Sequence, residues 1–161
     1  MRVSTRIWPW FFGVLVACGA PSAPATIGSA APAFTLTTNT GETLALDSCL
    51  GEVVVLSFWT TTCAPCLREV PVFNALVEQD GIRVLAVALD ADGSGRVATT
   101  ATRTGMRYPV LYGGQELFAR YGGSVTPHTI LIDAAGIVRR IVRGAIEGPE
   151  LQAFVDEIRG A

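Results

Sequence analysis

Four residues near the middle of the chain, Cys63-Ala64-Pro65-Cys66, have the types and spacing that thiol–disulfide exchange needs. The reacting species is a thiolate, and an unperturbed Cys has a pKa of about 8.5, so the nucleophile needs surroundings that favour the anion. The pair follows the apolar run Val53 to Phe58. It precedes a stretch in which Leu67, Val70, Phe73, Leu76 and Val77 recur at helical spacing. That order predicts a buried strand with the two sulfurs at the start of the following helix, where unpaired N–H groups and the positive end of the peptide dipoles stabilise negative sulfur. Cys66 stands one turn beyond Cys63, within reach of a disulfide, and Pro65 falls in the first turn, where its missing N–H costs nothing. On this reading Cys63 is the nucleophile, and Cys66 is the resolving thiol that releases a mixed disulfide. A structural disulfide and half a zinc site are the other uses of such a pair. Zinc would need two more ligands, and the Cys49 and His128 left to supply them are far off in sequence and form no second pair.

The elements that must position the sulfurs follow from periodicity. Phe34-Thr-Leu-Thr and Thr43-Leu-Ala-Leu alternate apolar and polar residues around Asn39-Thr40-Gly41, which predicts a β-hairpin. Val53–Phe58 and Ile82–Leu89 are continuous apolar runs that suit strands buried on both faces. The helix opened by the Cys pair is expected over Ala64–Gln79, kinked at Pro71. Further helices are expected over 94–104, 115–121 and Glu150–Ile158, with a short extended piece at Tyr108–Leu111. Strands Thr129–Ile132 and Ile137–Val142 are joined by a turn at Asp133–Gly136. The alternation of strand and helix predicts one α/β domain, a central mixed sheet flanked by helices with an antiparallel edge and an extra N-terminal hairpin.

The chain has 161 residues, half of them hydrophobic and 16% charged, which suits one folded domain. The formal charge of −2, with no basic block, gives no footprint for nucleic acid. All twelve basic residues are Arg, so no Lys amine is available to tune a thiol. Arg2 and Arg6 precede the apolar run Ile7–Ala17, which is too short for the roughly 20 residues of a membrane span and reads as an export signal over residues 1–17. Leu15-Val16-Ala17-Cys18 looks like the lipobox of bacterial lipoproteins, which makes Cys18 the expected acylated N-terminus and membrane anchor. Residues 18–32, rich in Ala, Pro, Ser, Gly and Thr, are expected to form a flexible linker.

The string Phe58-Trp59-Thr60-Thr61-Thr62-Cys63-Ala64-Pro65-Cys66 is similar to the FWAxWCxPC of the thioredoxin superfamily, specifically its TlpA/ResA/CcmG-like extracytoplasmic branch. Glu69-Val70-Pro71 resembles the ExP that follows it. Tyr108-Pro109-Val110-Leu111, Tyr121-Gly122 and Val125-Thr126-Pro127 resemble the run into a cis-proline loop, and Ile130-Leu-Ile-Asp133 with Gly136 resembles FLIDxxG. The resemblance spans about residues 28–159, and it implies a thioredoxin-fold domain there. It implies that Pro127 is cis and faces Cys63, and that Thr126, Pro127 and Trp59 bind substrate, Thr126 through its backbone groups. Glu69 would handle protons for Cys66. The implied activity is exchange with the thiols or disulfides of exported proteins, as a reductant supplied by a membrane-bound electron donor, often in cytochrome c maturation. No cofactor and no metal are implied. The location is the periplasm or cell exterior.

Three positions depart from the pattern. Thr62 stands where Trp usually precedes the first Cys, Ser57 where thioredoxins carry a buried Asp, and His128 where Thr is common. Ser cannot serve as a general base, so proton transfer falls to Glu69 or water. His128 is expected as a partly exposed strand residue, and Cys49 as a small buried one. Two rival functions are a peroxiredoxin-like peroxidase and a copper-binding module of similar fold. The first wants Pro-x-x-x-Thr-x-x-Cys, but position 56 is Leu; the second typically spaces its Cys by three residues.

Overall fold

The longest apolar runs become the central strands. In the computed structural model, which describes residues 23–90 and 94–160, Thr35–Thr37 (β1) and Thr43–Ala45 (β2) form the expected antiparallel hairpin. A 3-10 turn over Leu46–Cys49 leads to Val53–Trp59 (β3). Then come Ala64–Arg68 (α1), Val70–Leu76 (α2), Ile82–Ala88 (β4), Ser94–Thr104 (α3), Val110–Tyr112 (β5), Gln115–Arg120 (α4), His128–Ile132 (β6), Val138–Arg143 (β7) and Gly148–Arg159 (α5).

A five-stranded sheet runs in the order β5-β4-β3-β6-β7. β4 is parallel to both β3 and β5, whereas β6 is antiparallel to β3 and to β7. Strand alternation divides the core in two. Val54, Leu56 and Phe58 of β3 join Ile130 and Ile132 of β6 beneath α4 and the N-terminal segment. Val55 and Trp59 face the other way, with Phe73 of α2, Val97 of α3, and Leu151 and Val155 of α5. Every residue of β3 is buried, as a strand covered on both faces must be.

Two expectations are corrected here. The helix expected over Ala64–Gln79 is two helices that meet at Glu69 and end at Leu76. Pro71 has no N–H to give to the Leu67 carbonyl, and its ring crowds the preceding turn. The joint is closed instead by Glu69 N–H donating to the Cys66 carbonyl (3.2 Å). The flexible linker expected through Pro32 is instead bound to the domain from Ala25 onward. The Ala25 N–H donates to the Arg120 carbonyl and that of Gly28 to Val138 (both 2.8 Å), and the Tyr121 hydroxyl donates to the Pro32 carbonyl (2.7 Å). Its small residues allow the backbone to lie flat against the sheet edge. Residues 1–22, with the expected signal and Cys18, lie outside the described residues. No described helix is long and apolar enough to cross a membrane.

Candidate active site

Both sulfurs stand where β3 hands the chain to α1. β3 ends at Trp59, Cys63 N–H donates to the Thr60 carbonyl (3.1 Å) to make the turn, and Cys63 caps α1 with its side chain. Cys63 and Cys66 form a disulfide with Cα atoms 5.3 Å apart. The Cys66 backbone N–H points at the Cys63 sulfur at 3.3 Å. That donor is one of the orphan amides of a helix start, and on reduction it favours the Cys63 thiolate over the thiol. Cys63 is half-buried and Cys66 is buried (4% exposed), so an incoming group reaches the first sulfur and not the second.

Thr60-Thr61-Thr62 brings its own support. Thr61 donates from its backbone N–H to Asp90 Oδ2 (3.0 Å) and from its hydroxyl to Asp90 Oδ1 (2.6 Å), a two-point clamp from the end of β4 onto the segment entering Cys63. Thr62, in place of the usual Trp, is exposed. Nothing in the sequence ties Asp90 to a site 29 residues away; the parallel β3–β4 register does so.

Glu69 sits at the α1–α2 joint, one turn below Cys66, and is 3% exposed. Its Oε1 accepts the Ile146 N–H (2.8 Å), while Oε2 has no partner among the described residues. Burial pushes its carboxyl up to about 7, against the opposing pull of the Ile146 N–H and of Arg68, with Glu147 adding to the rise. A carboxyl that titrates near neutrality has the pKa to take and return a proton at pH 7, and Glu69 stands one helical turn from the buried Cys66. Tyr108 is buried over the same region, and its phenol is pushed well up by burial and by the Glu69 charge.

The Thr126–Pro127 bond is cis, as the resemblance implied. Pro127 is buried and immediately precedes β6, whose His128 pairs with Phe58 of β3. The antiparallel register therefore sets Pro127 beside the end of β3, from which the Cys loop leaves. The Pro127 carbonyl accepts the Gly144 N–H (2.9 Å). Trp59, expected to bind substrate, is 2% exposed in the same helix-side core as Cys66 and offers a partner almost no surface. Ser57 is buried too, and its hydroxyl accepts from Thr129 at 3.5 Å.

Cys49 is buried, as expected; desolvation pushes its thiol up, away from reactivity. His128 differs from expectation: it is 0% exposed, under Phe118 and beside Phe58. Among the described residues no three His, Cys, Asp or Glu side chains converge as a metal site would require. Leu56, where a peroxiredoxin would carry Pro, is wholly buried in β3.

Relatives agree with this chemistry. The chain is 32% identical over 137 residues to the thiol-disulfide oxidoreductase ResA of Geobacillus thermodenitrificans, covering 83% of this chain and 78% of that one. It is 28% identical to the thioredoxin-like protein YneN of Bacillus subtilis over 133 residues, 80% of this chain and 78% of that one. A Chlorobium tepidum structure assigned to the thiol:disulfide interchange protein DsbE superposes with a TM-score of 0.76 at 28% identity, covering 83% of this chain and 98% of the other. The Cys-x-x-Cys pair is thus a redox centre on a thioredoxin fold. Residues 27–141 match the AhpC/TSA family, and the chain belongs to that family as a thiol–disulfide oxidoreductase.

Proposed function

We propose that the chain is an exported, lipid-anchored reductant of protein disulfides. The observation that carries this reading is the burial of both Cys66 and, one helical turn on, Glu69: a second thiol held from solvent, with a carboxyl that titrates near pH 7 one turn away, suits a site that gives up its electron pair on demand. Cys63 thiolate attacks one sulfur of a partner's disulfide; a Cys63–partner S–S bond forms and the partner's other sulfur leaves as thiolate. Glu69 takes the Cys66 proton. Cys66 then attacks the Cys63 sulfur, the Cys63–Cys66 bond closes, and the partner's second thiolate leaves. Two electrons pass to the partner, and the two partner thiolates gain protons from Glu69 and water. An upstream dithiol donor, membrane-bound, must then reduce the pair again. Thr126 and Pro127 form the edge on which the partner docks. Partners are the thiols or disulfides of exported proteins, those of cytochrome c maturation among them.

Cys18 is the proposed acylated anchor and residues 1–17 the removed signal. The seven steps from Cys18 to Ala25 span at most about 25 Å, so the domain works close to its membrane.

The direction of electron flow is tested by titrating the Cys63–Cys66 pair against glutathione. A potential nearer the roughly −270 mV of thioredoxin than the roughly −120 mV of the oxidant DsbA is expected; a value at the upper end sinks the reductant assignment. A Cys66→Ala variant should accumulate mixed disulfides in cells and a Cys63→Ala variant none. Metabolic labelling with a palmitate analogue should mark the parent and leave Cys18→Ser unlabelled.

A further inference from the structure

His128 follows the cis-proline directly and is wholly buried. Its Nε2 lies 3.0 Å from the Tyr121 carbonyl at the end of α4. A carbonyl only accepts, so the proton is on Nε2 and Nδ1 carries the lone pair, which meets no donor among the described residues. Residues 121 and 128 are the two ends of the loop that carries Thr126 and Pro127. The bond therefore closes that loop at its base, while Val125 at its crest is 50% exposed. The ring has little freedom: Phe118 packs edge-on at 5.6 Å between centroids and Phe58 lies tilted at 6.1 Å.

We propose that His128 is a positioning residue for thiol exchange, clipping the Thr126–Pro127 edge to the end of α4 so that a docked partner disulfide is held in line with Cys63, and that the clip works as the neutral imidazole. This rests on the reading that Thr126 and Pro127 form the docking edge. The clip shortens the free span of the loop and so limits the positions that edge can take. Protonation would place a second N–H, on Nδ1, in a buried site where it has no partner among the described residues and with Arg143 across the β6–β7 pair. Arg143 is the charged group that acts on the ring; α4 presents the Tyr121 carbonyl and Phe118, and β3 presents Phe58, none of them charged. Burial holds the imidazole below its ordinary range, the Tyr121 carbonyl pulls it back, and Arg143 pushes it down further. It is therefore neutral at pH 7 and takes a proton only in acid.

The test uses a synthetic peptide closed by one disulfide, with uncharged flanks, as the probe substrate of the reduced protein. His128→Leu fills the space but gives no donor, and should raise KM for the peptide about 10-fold, with kcat and the redox potential of the pair close to the parent's. His128→Gln, whose amide N–H can reach the Tyr121 carbonyl, should restore KM. Where acid protonates His128 the parent's KM should climb, and that of the Gln variant should show no such rise. An unchanged KM in the Leu variant, no rescue by Gln, or a parent KM independent of pH overturns the proposal. Pro127→Ala is the control for the docking edge. If it also leaves KM unchanged, the edge reading fails and the clip with it; if it raises KM and His128→Leu does not, the clip alone fails.

Discussion

Glu69, one turn from Cys66, sits in surroundings unlike water. Its carboxyl is buried with one oxygen bonded and one not, and folding raises it from about 4.5 to about 7. The folded state therefore binds more protons than the unfolded chain between those values, and stability falls as pH rises through that window. The cost is absent below the unfolded value and fully present above the folded one. Glu69→Gln keeps an acceptor for the Ile146 N–H without the charge. It should stabilise the protein at pH 8 by on the order of 1–3 kcal/mol, and by nothing below about pH 4.5, measured as the shift in urea midpoint at each pH. The same variant should slow the closing step of exchange and flatten its dependence on pH between 6 and 8. A rate that keeps its parent pH profile would remove Glu69 from the proton path.

Between α4 and β6 the elements leave so little room that one residue type is required. Gly123 lies against the Phe118 ring, and a Cβ there would stand 2.1 Å from two of its carbons. The ring cannot swing aside freely, because Phe58 (5.3 Å) and His128 (5.6 Å) hold its other faces. Gly123→Ala should thus cost about 1–3 kcal/mol in a denaturation experiment, and should shift the Pro127 loop as it does so. Such close approaches mark the limit of what the chain announces about itself. Val53–Phe58 and Ile82–Leu89 were legible as central strands because both faces of each are buried, leaving uninterrupted apolar runs. Cys63 and Cys66 were legible because spacing and a strand-to-helix switch are local facts. The burial of His128 was not, since it depends on α4 and the N-terminal segment folding over a strand that is polar at that position. The Asp90 clamp on Thr61 and the Ile146 bond to Glu69 were hidden for a related reason: they join residues 29 and 77 apart, and only the assembled sheet brings them together. Ala25–Pro32 misled in the opposite direction, because small residues that suit a mobile linker also let backbone bond to a sheet edge.

At the scale of the whole molecule, redox state and folding are two sides of one cycle: whichever form of the Cys pair the fold stabilises more is the form the protein tends toward. The oxidant DsbA is a strong oxidant because its reduced form is the stabilised one. On the proposed reading of this chain as a reductant, the reduced form gains less. The Cys66 N–H favours a Cys63 thiolate, but Cys66 itself is buried at 4% exposure one turn from the buried Glu69, and Arg68 only partly offsets the desolvation of that carboxyl. The disulfide removes that problem by removing both potential anions from the site. The oxidised protein should accordingly unfold at higher denaturant than the dithiol form. The gap in folding free energy should match the distance of the pair's potential below that of the same two cysteines in the unfolded chain, at about 1.4 kcal/mol for each 30 mV. Parallel urea titrations of the oxidised and fully reduced protein at pH 7 measure the gap directly. A dithiol form that outlasts the disulfide form would reverse the sign, and with it the direction in which this chain passes electrons.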